Sequence, residues 1–234
     1  MNKIIDLEKF NHYKTVKTID DQYISVNPND IYIGNELINN GTWEIHIKNL
    51  LKAICKENMT VVDIGANIGT HTILMSKLVG EKGNVYAFEP SKNHVEILFY
   101  NLMMNDCLNT KIYSYGCGDK NENMFVDKRF LDTKKSENFG AIELKKKSDV
   151  NDEEIEIRSI DSFDFPKIHI IKIDAEGMEN VVINGMKNTI SKYKPLIIVK
   201  IHDPDVENMT NIFNSINYSL QRIGYTWDYL AIPK

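Results

Sequence analysis

Two glycines and two carboxylates in the first half of the chain have the types and spacing of a nucleotide-binding turn. Asp63 ends a run rich in β-branched residues, and Gly65 and Gly69 follow it in a G-x-x-x-G spacing. Glu89 ends a second apolar run, roughly 20 residues on, where an acid can bind the hydroxyls of a ribose. Because glycine lets a ligand approach the backbone closely, the pattern predicts a cofactor pocket at the carboxyl edge of a parallel sheet.

The ligand of this turn is expected to carry a small carboxylate rather than a phosphate. The spacing is not the G-x-G-x-x-G of dinucleotide enzymes, which gives a pyrophosphate closer access to the backbone. Residues 68–79 have apolar side chains near helical period, and the first turn of such a helix presents free N–H groups to an anion. The alternative is that both glycines only permit a tight strand-to-helix turn, with Glu89 as a surface acid.

Two further predicted strands also end in ionisable residues. Asp174 follows the strand at residues 168–173, and the pair His202–Asp203 follows the next strand, at residues 196–201. Ligands in open α/β sheets bind outside the carboxyl ends of the strands. If the strands are neighbours, these groups converge with Asp63 above the sheet.

Asp174, Glu176 and His202 have hard donor atoms that could together hold a divalent metal ion. Glu176 and Glu179 are one helical turn apart and could face the pocket together. The alternative, favoured for Glu179, is that these acids complement the positive N-terminus of the following helix. No metal ligand is therefore assigned, although a divalent metal stays open as a cofactor.

Lys172 and Lys200 each stand in an otherwise apolar strand. Period two puts Lys172 on the same face as Asp174, and Lys200 on the same face as His202. Since a buried lysine needs a partner, we expect both to form structural ion pairs with nearby carboxylates.

Alternating strands and helices are required to bring these residues to one edge. Besides the strand that ends before Glu89, the patterns predict strands at residues 59–64, 110–115, 168–173, 196–201, 218–223 and 227–232. They predict helices at residues 42–57 (capped by Thr42), 68–79, 95–104, 178–191 and 206–216. The expected fold class is α/β, with a doubly wound, mostly parallel sheet that carries helices on both faces and ends in an antiparallel hairpin around Gly224.

The predicted organisation is a lead segment at residues 1–40, ill-defined in pattern, and a main domain at residues 41–234. Gly116 and Gly118 are expected to break the third strand. Residues 119–154 form a charged excursion, with a short hairpin expected between residues 124–127 and 154–158. A long loop at the ligand-bearing edge is often functional, and a solvated insertion without function is the alternative.

The composition excludes several classes of protein. The net charge of −5 and a pI near 5.7 argue against a dedicated nucleic-acid binder, which would have a basic surface. No apolar signal-peptide core and no stretch of about 20 apolar residues is present, so no membrane span is expected. The three cysteines are widely spaced without a C-x-x-C pair, which argues against zinc and favours free thiols in a reducing, cytoplasmic location.

Two segments of the chain resemble the FkbM family of S-adenosylmethionine-dependent methyltransferases. The first is Val-Asp-Ile-Gly-Ala-Asn-Ile-Gly at residues 62–69, followed by Ala-Phe-Glu-Pro at residues 87–90. The second is Ile-Lys-Ile-Asp-Ala-Glu-Gly-Met-Glu at residues 171–179, similar to the family's K-I-D-x-E-G-x-E block. The similarity extends from about residue 40 to the C-terminus. It implies a class I, Rossmann-like sheet of seven strands and S-adenosylmethionine as cofactor.

The resemblance also implies roles for individual residues. The methionine end of the cofactor would be lined by Asp63, Gly65, Asn67 and Gly69, with contributions from His71 and Asp174. Glu89 would bind the ribose, and Gly118 and Asp119 would approach the adenine. On the acceptor side the candidates are Trp43, Glu44, Asn138, Lys172 and Glu179. Lys200 departs from the family, where a glutamate usually stands, which weakens any role that depends on that glutamate.

The family transfers a methyl group to hydroxyls of sugars, glycoconjugates and some polyketide products. In such an in-line displacement the cofactor brings the electrophile, so the protein must align the hydroxyl and remove its proton. His202 is a candidate base because imidazole as a group ionises near neutral pH. Asp174 is the rival base or orients the acceptor, and Glu176 completes the expected catalytic set.

The expected acceptor is a small molecule or glycan with a sugar hydroxyl, including a nucleotide sugar whose phosphate the excursion lysines would bind. One alternative is methylation of an RNA 2′-hydroxyl, which predicts a basic stripe that leads to the pocket. Another is a cofactor-binding relic that serves as an assembly module without catalysis. A nicotinamide oxidoreductase is a fourth possibility because it shares the strand-turn-helix arrangement.

Overall fold

A computed structural model of the chain describes residues 11–127, 134–135, 137–140, 144–146, 149 and 152–234. The strands are β1 (Lys14–Lys17), β2 (Tyr23–Val26), β3 (Thr60–Ile64), β4 (Asn84–Phe88), β5 (Thr110–Tyr113), β6 (Gly116–Gly118), β7 (Glu122–Asp127), β8 (Asp152–Ser159), β9 (Ile170–Ile173), β10 (Leu196–Lys200), β11 (Tyr218–Arg222) and β12 (Asp228–Pro233). The helices are α1 (Ile33–Asn40), α2 (Ile45–Ile54), α3 (Thr70–Val79), α4 (Lys92–Met104), α5 (Glu179–Asn184), α6 (Lys187–Tyr193) and α7 (Val206–Ser215).

The central sheet has seven strands in the order β11-β12-β10-β9-β3-β4-β5. β10, β9, β3, β4 and β5 are mutually parallel, whereas β12 pairs antiparallel with both β10 and β11. The predicted α/β fold, with a mostly parallel sheet and a C-terminal antiparallel hairpin, is confirmed. β3, β9 and β10 are neighbours, so their ionisable ends do meet at one edge, as the sequence predicted.

The central strands are buried on both faces because they are continuous runs of apolar, mostly β-branched residues. All five residues of β3 and all four of β9 are buried. The largest core cluster includes Ile171 and Ile173 of β9 together with Phe213 of α7. A rigid floor of this kind holds the loops at the carboxyl ends of the strands in fixed positions.

Two helices differ from the sequence prediction. α2 begins at Ile45, and its N-cap is Glu44 in the left-handed conformation (φ 44°), so the prediction that Thr42 caps it is wrong. The helix predicted at residues 178–191 is divided into α5 and α6 near Gly185. A Cβ at Gly185 would lie 1.8 Å from the carbonyl oxygen of Gly118, so only glycine allows α5 to end against β6.

The described part of the lead segment is ordered as a β1–β2 hairpin followed by α1. Asparagine side chains from α4 and from the residue that caps its C-terminus attach it to the main domain. Asn101 Oδ1 accepts the Ser25 N–H at 2.7 Å, and Asn105 Oδ1 accepts the Tyr23 N–H at 2.9 Å. The sequence pattern of this segment is ill-defined, yet long-range contacts with Asn101 and Asn105 order the residues that the structure describes.

The hairpin predicted in the excursion is confirmed as the antiparallel pair β7–β8, with Met124 opposite Ile155. Gly116 and Gly118 do not merely break the third strand, since they form β6, which pairs parallel with β8 in a separate three-stranded sheet. Farther along, the Ile31 N–H donates to the Glu137 carbonyl at 3.2 Å, which joins the excursion to the lead segment. Among the described helices, none combines the length and apolar character that crossing a membrane requires.

Candidate active site

A cavity of about 700 Å³ lies at the carboxyl edge of the central sheet. The loops after β3, β4, β5, β9 and β10 form its floor. The start of α2, the lead segment and the excursion form its other walls. The sequence-predicted residues that line it are Trp43, Glu44, Gly65, Asn67, His71, Glu89, Asn138, Lys172, Asp174, Glu176 and His202.

The β3–α3 turn forms one end of the cavity. Gly65 has φ 78°, and a Cβ there would lie 1.8 Å from the Asp174 carbonyl oxygen. Only glycine at this position therefore lets the ends of β3 and β9 come so close. Asn67 is also left-handed (φ 50°), and its Oδ1 accepts the N–H of Ile68 at 2.7 Å. Gly69 (φ 95°) packs against Leu98 outside the cavity, so it shapes the turn rather than lining the site.

Glu89, which follows β4, joins the end of β4 to the turn after β3. Its Oε2 accepts the Asn67 N–H at 2.8 Å and its Oε1 accepts the Ser91 N–H at 2.9 Å. The side chain is buried but still reaches the cavity surface. Carboxylate oxygens accept more than one hydrogen bond each, so this anchored carboxylate keeps acceptor capacity for a ligand.

The wall beyond β5 is built mostly from residues other than the predicted neighbours of the adenine. Gly118 and Asp119, the predicted adenine neighbours, do not line the cavity, because Gly118 packs against Gly185. Their place in the wall is taken by residues closer to β5 and by apolar side chains of the excursion: Tyr115, Gly116, Cys117, Val126, Phe139, Leu144 and Ile155. This wall suits a flat, largely apolar group.

The ion pairs predicted for the two strand lysines are confirmed. Lys172 Nζ lies 3.5 Å from Asp63 Oδ1 and 3.9 Å from Asp174 Oδ2, and Lys200 Nζ lies 2.7 Å from Asp174 Oδ2 and 3.0 Å from Glu44 Oε1. Burial alone would lower the pKa of Lys172, but the carboxylates around it raise that pKa above its usual value. Burial opposes ionisation of Asp174, yet the two lysines hold its pKa below the ordinary value.

Asp63 supports the site from below. It is buried and does not line the cavity; Thr72 Oγ1 donates to its Oδ2 at 2.7 Å. Its carboxylate therefore fixes Lys172 and the start of α3, and the structure does not support direct contact with a ligand. Glu179 also lies outside the cavity: its Oε1 accepts the Ala175 N–H at 2.9 Å at the start of α5. This placement agrees with the helix-end interpretation and does not support a substrate role.

Glu44, which precedes α2, and His71 of α3 lie close together in the wall of the cavity. Glu44 Oε2 lies 3.7 Å from His71 Nε2, and burial raises the pKa of Glu44 although Lys200 opposes the shift. Burial, with Lys172 adding to it, lowers the pKa of His71 well below its ordinary value, so the ring is neutral. In the described structure His71 Nε2 and Asp174 Oδ1 are buried polar atoms without a hydrogen-bond partner. Such atoms normally find a partner, and both residues line the cavity, where a polar ligand or water can supply one.

The remaining predicted catalytic residues stand at the outer part of the cavity. His202 is exposed, and its ring centroid lies 4.9 Å from that of Trp227. Glu176 has a left-handed backbone (φ 46°), and burial, with Asp174 adding to it, raises the pKa of its carboxyl to about 7. A half-ionised carboxyl near neutral pH can exchange a proton with a ligand.

Metal binding does not fit the observed side chains. In the part of the chain that the structure describes, no group of three or more His, Cys, Asp or Glu residues is arranged to hold a metal ion. The ammonium group of Lys200 already neutralises Asp174 at 2.7 Å, where a metal would have to bind. The alternative of a divalent cation at Asp174, Glu176 and His202 therefore has no support from the geometry.

Sequence reasoning missed one part of the site. His46 of α2 and Asp228 of β12 both line the cavity, as do the aromatic residues Tyr32, Tyr225 and Trp227. His46 Nε2 lies 2.6 Å from Asp228 Oδ2, across 182 positions of sequence. No local motif marks either residue, so only the fold could bring them together.

Comparison with known proteins supports the sequence resemblance. Residues 63–226 match the family model described as the Methyltransferase FkbM domain. The chain is 28% identical over 177 residues to the hexuronic acid methyltransferase AglP of Haloferax volcanii, an alignment that covers 74% of this chain and 68% of that protein.

Solved structures show the same fold. The methyltransferase FkbM from Methylobacillus flagellatus KT superposes with a TM-score of 0.56 and 20% identity, over 75% of this chain and 44% of that one. This chain therefore spans less than half the length of that protein. The precorrin-6y C5,15-methyltransferase of Geobacter metallireducens GS-15 superposes with a TM-score of 0.53 and 13% identity, over 90% of this chain and 98% of that one.

Proposed function

Because this chain belongs to the FkbM methyltransferase family, we propose that it is an S-adenosylmethionine-dependent O-methyltransferase that modifies a hydroxyl of a sugar or glycoconjugate. The observation that carries the proposal is the cavity itself. A glycine turn, an anchored carboxylate and a cluster of ionisable side chains lie around one space at the carboxyl edge of the sheet. Pockets at this edge are where open α/β sheets bind ligands.

The donor end fits S-adenosylmethionine by its chemistry. The free acceptor capacity of Glu89 suits the ribose hydroxyls, and the apolar wall near Tyr115 suits the adenine. Neutral His71 can donate its Nε2 proton to the methionine carboxylate, and Asp174 Oδ1 can accept from the ammonium group, so both unpartnered atoms gain a partner. Asn67 and Gly65 complete this end through their backbone. S-adenosylmethionine, when bound, supplies an electrophilic methyl group.

The acceptor end fits a polyhydroxylated ring. Carboxyl, imidazole and ammonium groups of Glu44, Glu176, His202 and Lys200 line it, and each can bond a hydroxyl. Trp227, with 51% of its surface exposed, offers a flat apolar face beside them. The relative named for hexuronic acid supports a sugar acceptor.

The expected catalytic residues take different roles in this proposal. Asp174 is bound by two lysines and its pKa is low, so it is a weak proton acceptor. It therefore orients the donor and the lysines. Glu176 and His202 bind and align acceptor hydroxyls at the outer part of the cavity, with Trp43 and Asn138 bordering the same space.

The proposal is tested with radiolabelled methyl donor and a panel of hexuronic acids, neutral sugars, nucleotide sugars and RNA, with and without chelator. We expect label in a sugar, unaffected by chelator, and loss of activity in Glu89→Gln. The matched variant Glu207→Gln, on the exposed surface of α7, should retain activity.

Label only in RNA would refute the sugar assignment. Donor binding by calorimetry without transfer to any acceptor in the panel would favour the cofactor-binding relic. No binding of S-adenosylmethionine by the wild-type protein would refute the proposal as a whole, and binding of a nicotinamide cofactor instead would favour the oxidoreductase.

A further inference from the structure

A histidine–carboxylate pair lies in the cavity wall between α2 and β12. His46, in the first turn of α2, places Nε2 at 2.6 Å from Asp228 Oδ2. The Asp228 side chain is 8% exposed, whereas that of His46 is 30% exposed. Asp228 is also fixed by its backbone, because its carbonyl accepts the Ile223 N–H at 2.8 Å and its N–H donates to Thr226 Oγ1 at 3.2 Å.

This geometry selects one tautomer of the imidazole. A carboxylate has only acceptor atoms when ionised, so Nε2 must carry the proton that it donates to Asp228. Nδ1 is left with a lone pair and can accept a proton. A base whose ring is oriented by a buried carboxylate is the arrangement that activates hydroxyl nucleophiles in many enzymes.

The pair directly adjoins the charged cluster formed by Lys200, Asp174 and Glu44. Asp228 is the register partner of Lys200 across β10–β12, and Lys200 contacts both Asp174 and Glu44. Glu44 precedes His46 by two residues in the chain. Asp228 is the group in contact with His46, and Glu44 and Lys200 form the ion pair beside it.

We propose that His46 is the proton acceptor of the transfer reaction and that Asp228 is its positioning residue; this inference rests on the proposed O-methyltransferase function. As the acceptor oxygen forms its bond to the methyl carbon, the carbon–sulfur bond of the donor breaks and its electron pair stays on sulfur. The hydroxyl proton moves to His46 Nδ1. Because His46 is partly exposed, the proton then leaves to water.

The test compares His46→Ala and Asp228→Asn with His169→Gln, a control at the opposite edge of the sheet, where His169 Nδ1 accepts the Thr60 N–H. His46→Ala should lower kcat by ~10²- to 10⁴-fold, with the Kd of S-adenosylmethionine unchanged by calorimetry. Added imidazole should restore part of the lost rate. Asp228→Asn should lower kcat by roughly 10-fold or more without raising the donor Kd, and His169→Gln should keep the wild-type kcat.

A second measurement does not depend on turnover. In the ligand-free protein, imidazole nitrogen NMR should find His46 protonated at Nε2 and not at Nδ1 near pH 8, and Asp228→Asn should produce a mixture of tautomers. If the His46–Asp228 pair were purely structural, added imidazole would not restore the kcat of His46→Ala.

These measurements distinguish a failure of the proposed function from a failure of the role proposed for His46. If the wild-type protein does not bind the donor, the proposed function fails. If the wild type methylates an acceptor and His46→Ala keeps its kcat, only the assignment of His46 fails. Loss of kcat in Glu176→Gln with His46→Ala unaffected would give the proton-accepting role to Glu176 and overturn the inference.

Discussion

Replacing Glu176 with glutamine should stabilise the protein at pH 8 relative to wild type, but much less at pH 5. Burial raises the pKa of the Glu176 carboxyl from 4.5 to about 7 in the folded protein. The folded state therefore holds a proton that the unfolded state releases. The stability from this proton is present below pH 4.5 and is lost as the pH rises through about 7. Glutamine is neutral at every pH and removes this loss.

The size of the effect follows from the shift in pKa. Taken at face value, a shift of this size corresponds to about 3 kcal/mol. The side chain is partly exposed, and solvent screening reduces the expected difference to about 1–2 kcal/mol between the two pH values. The left-handed backbone of Glu176 (φ 46°) is common to both side chains, so its strain cancels.

Urea denaturation of both proteins at pH 5 and pH 8 measures this difference directly. Glu207→Gln makes the same chemical change on the exposed surface of α7 and should give equal changes at both pH values. If Glu176→Gln alters the free energy of unfolding equally at pH 5 and pH 8, the carboxyl is not the buried, proton-holding group described above.

Three further substitutions test other parts of the site. Lys172→Met should destabilise the protein by about 3–5 kcal/mol in urea melts, because it leaves buried carboxylates without a partner, and adding Asp63→Leu should recover part of the loss. A loss of less than about 1 kcal/mol in Lys172→Met would contradict this. Glu89→Gln should weaken S-adenosylmethionine binding at least ~10-fold by calorimetry, and an unchanged Kd would remove the ribose role. Gly65→Ala should lower the free energy of unfolding by more than about 3 kcal/mol or prevent folding. Gly224 is also left-handed but has no atom within 4 Å of the new Cβ, so Gly224→Ala should lower it by about 1 kcal/mol. Equal losses would show that the contact between Gly65 and the end of β9 is not tight.

The half of the cavity that we propose for the methyl donor could be predicted because its signals are local. A β-branched run, a glycine turn and a terminal acid are read within one strand-turn-helix unit, and β3, Gly65 and Glu89 stand where that unit places them. The ion pairs of Lys172 and Lys200 were also predictable, since a charge in a buried strand must find a partner.

The other half depends on contacts between distant parts of the chain. Nothing near His46 in sequence reveals Asp228, because the pair forms only when the last strand folds back beside β10. Glu44, whose backbone is left-handed, likewise contacts Lys200 of the distant strand β10, and no local pattern predicts either feature. The family resemblance predicts Gly118 near the adenine, but Gly118 packs against Gly185 and does not line the cavity.

The segment shared with the family, residues 63–226, includes the glycine turn and Glu89 but neither member of the His46–Asp228 pair. Both flanks that supply this pair lie beyond it, as do Trp43 and Trp227 at the rim. A match to residues 63–226 alone therefore does not establish that a homologue carries the His46–Asp228 pair.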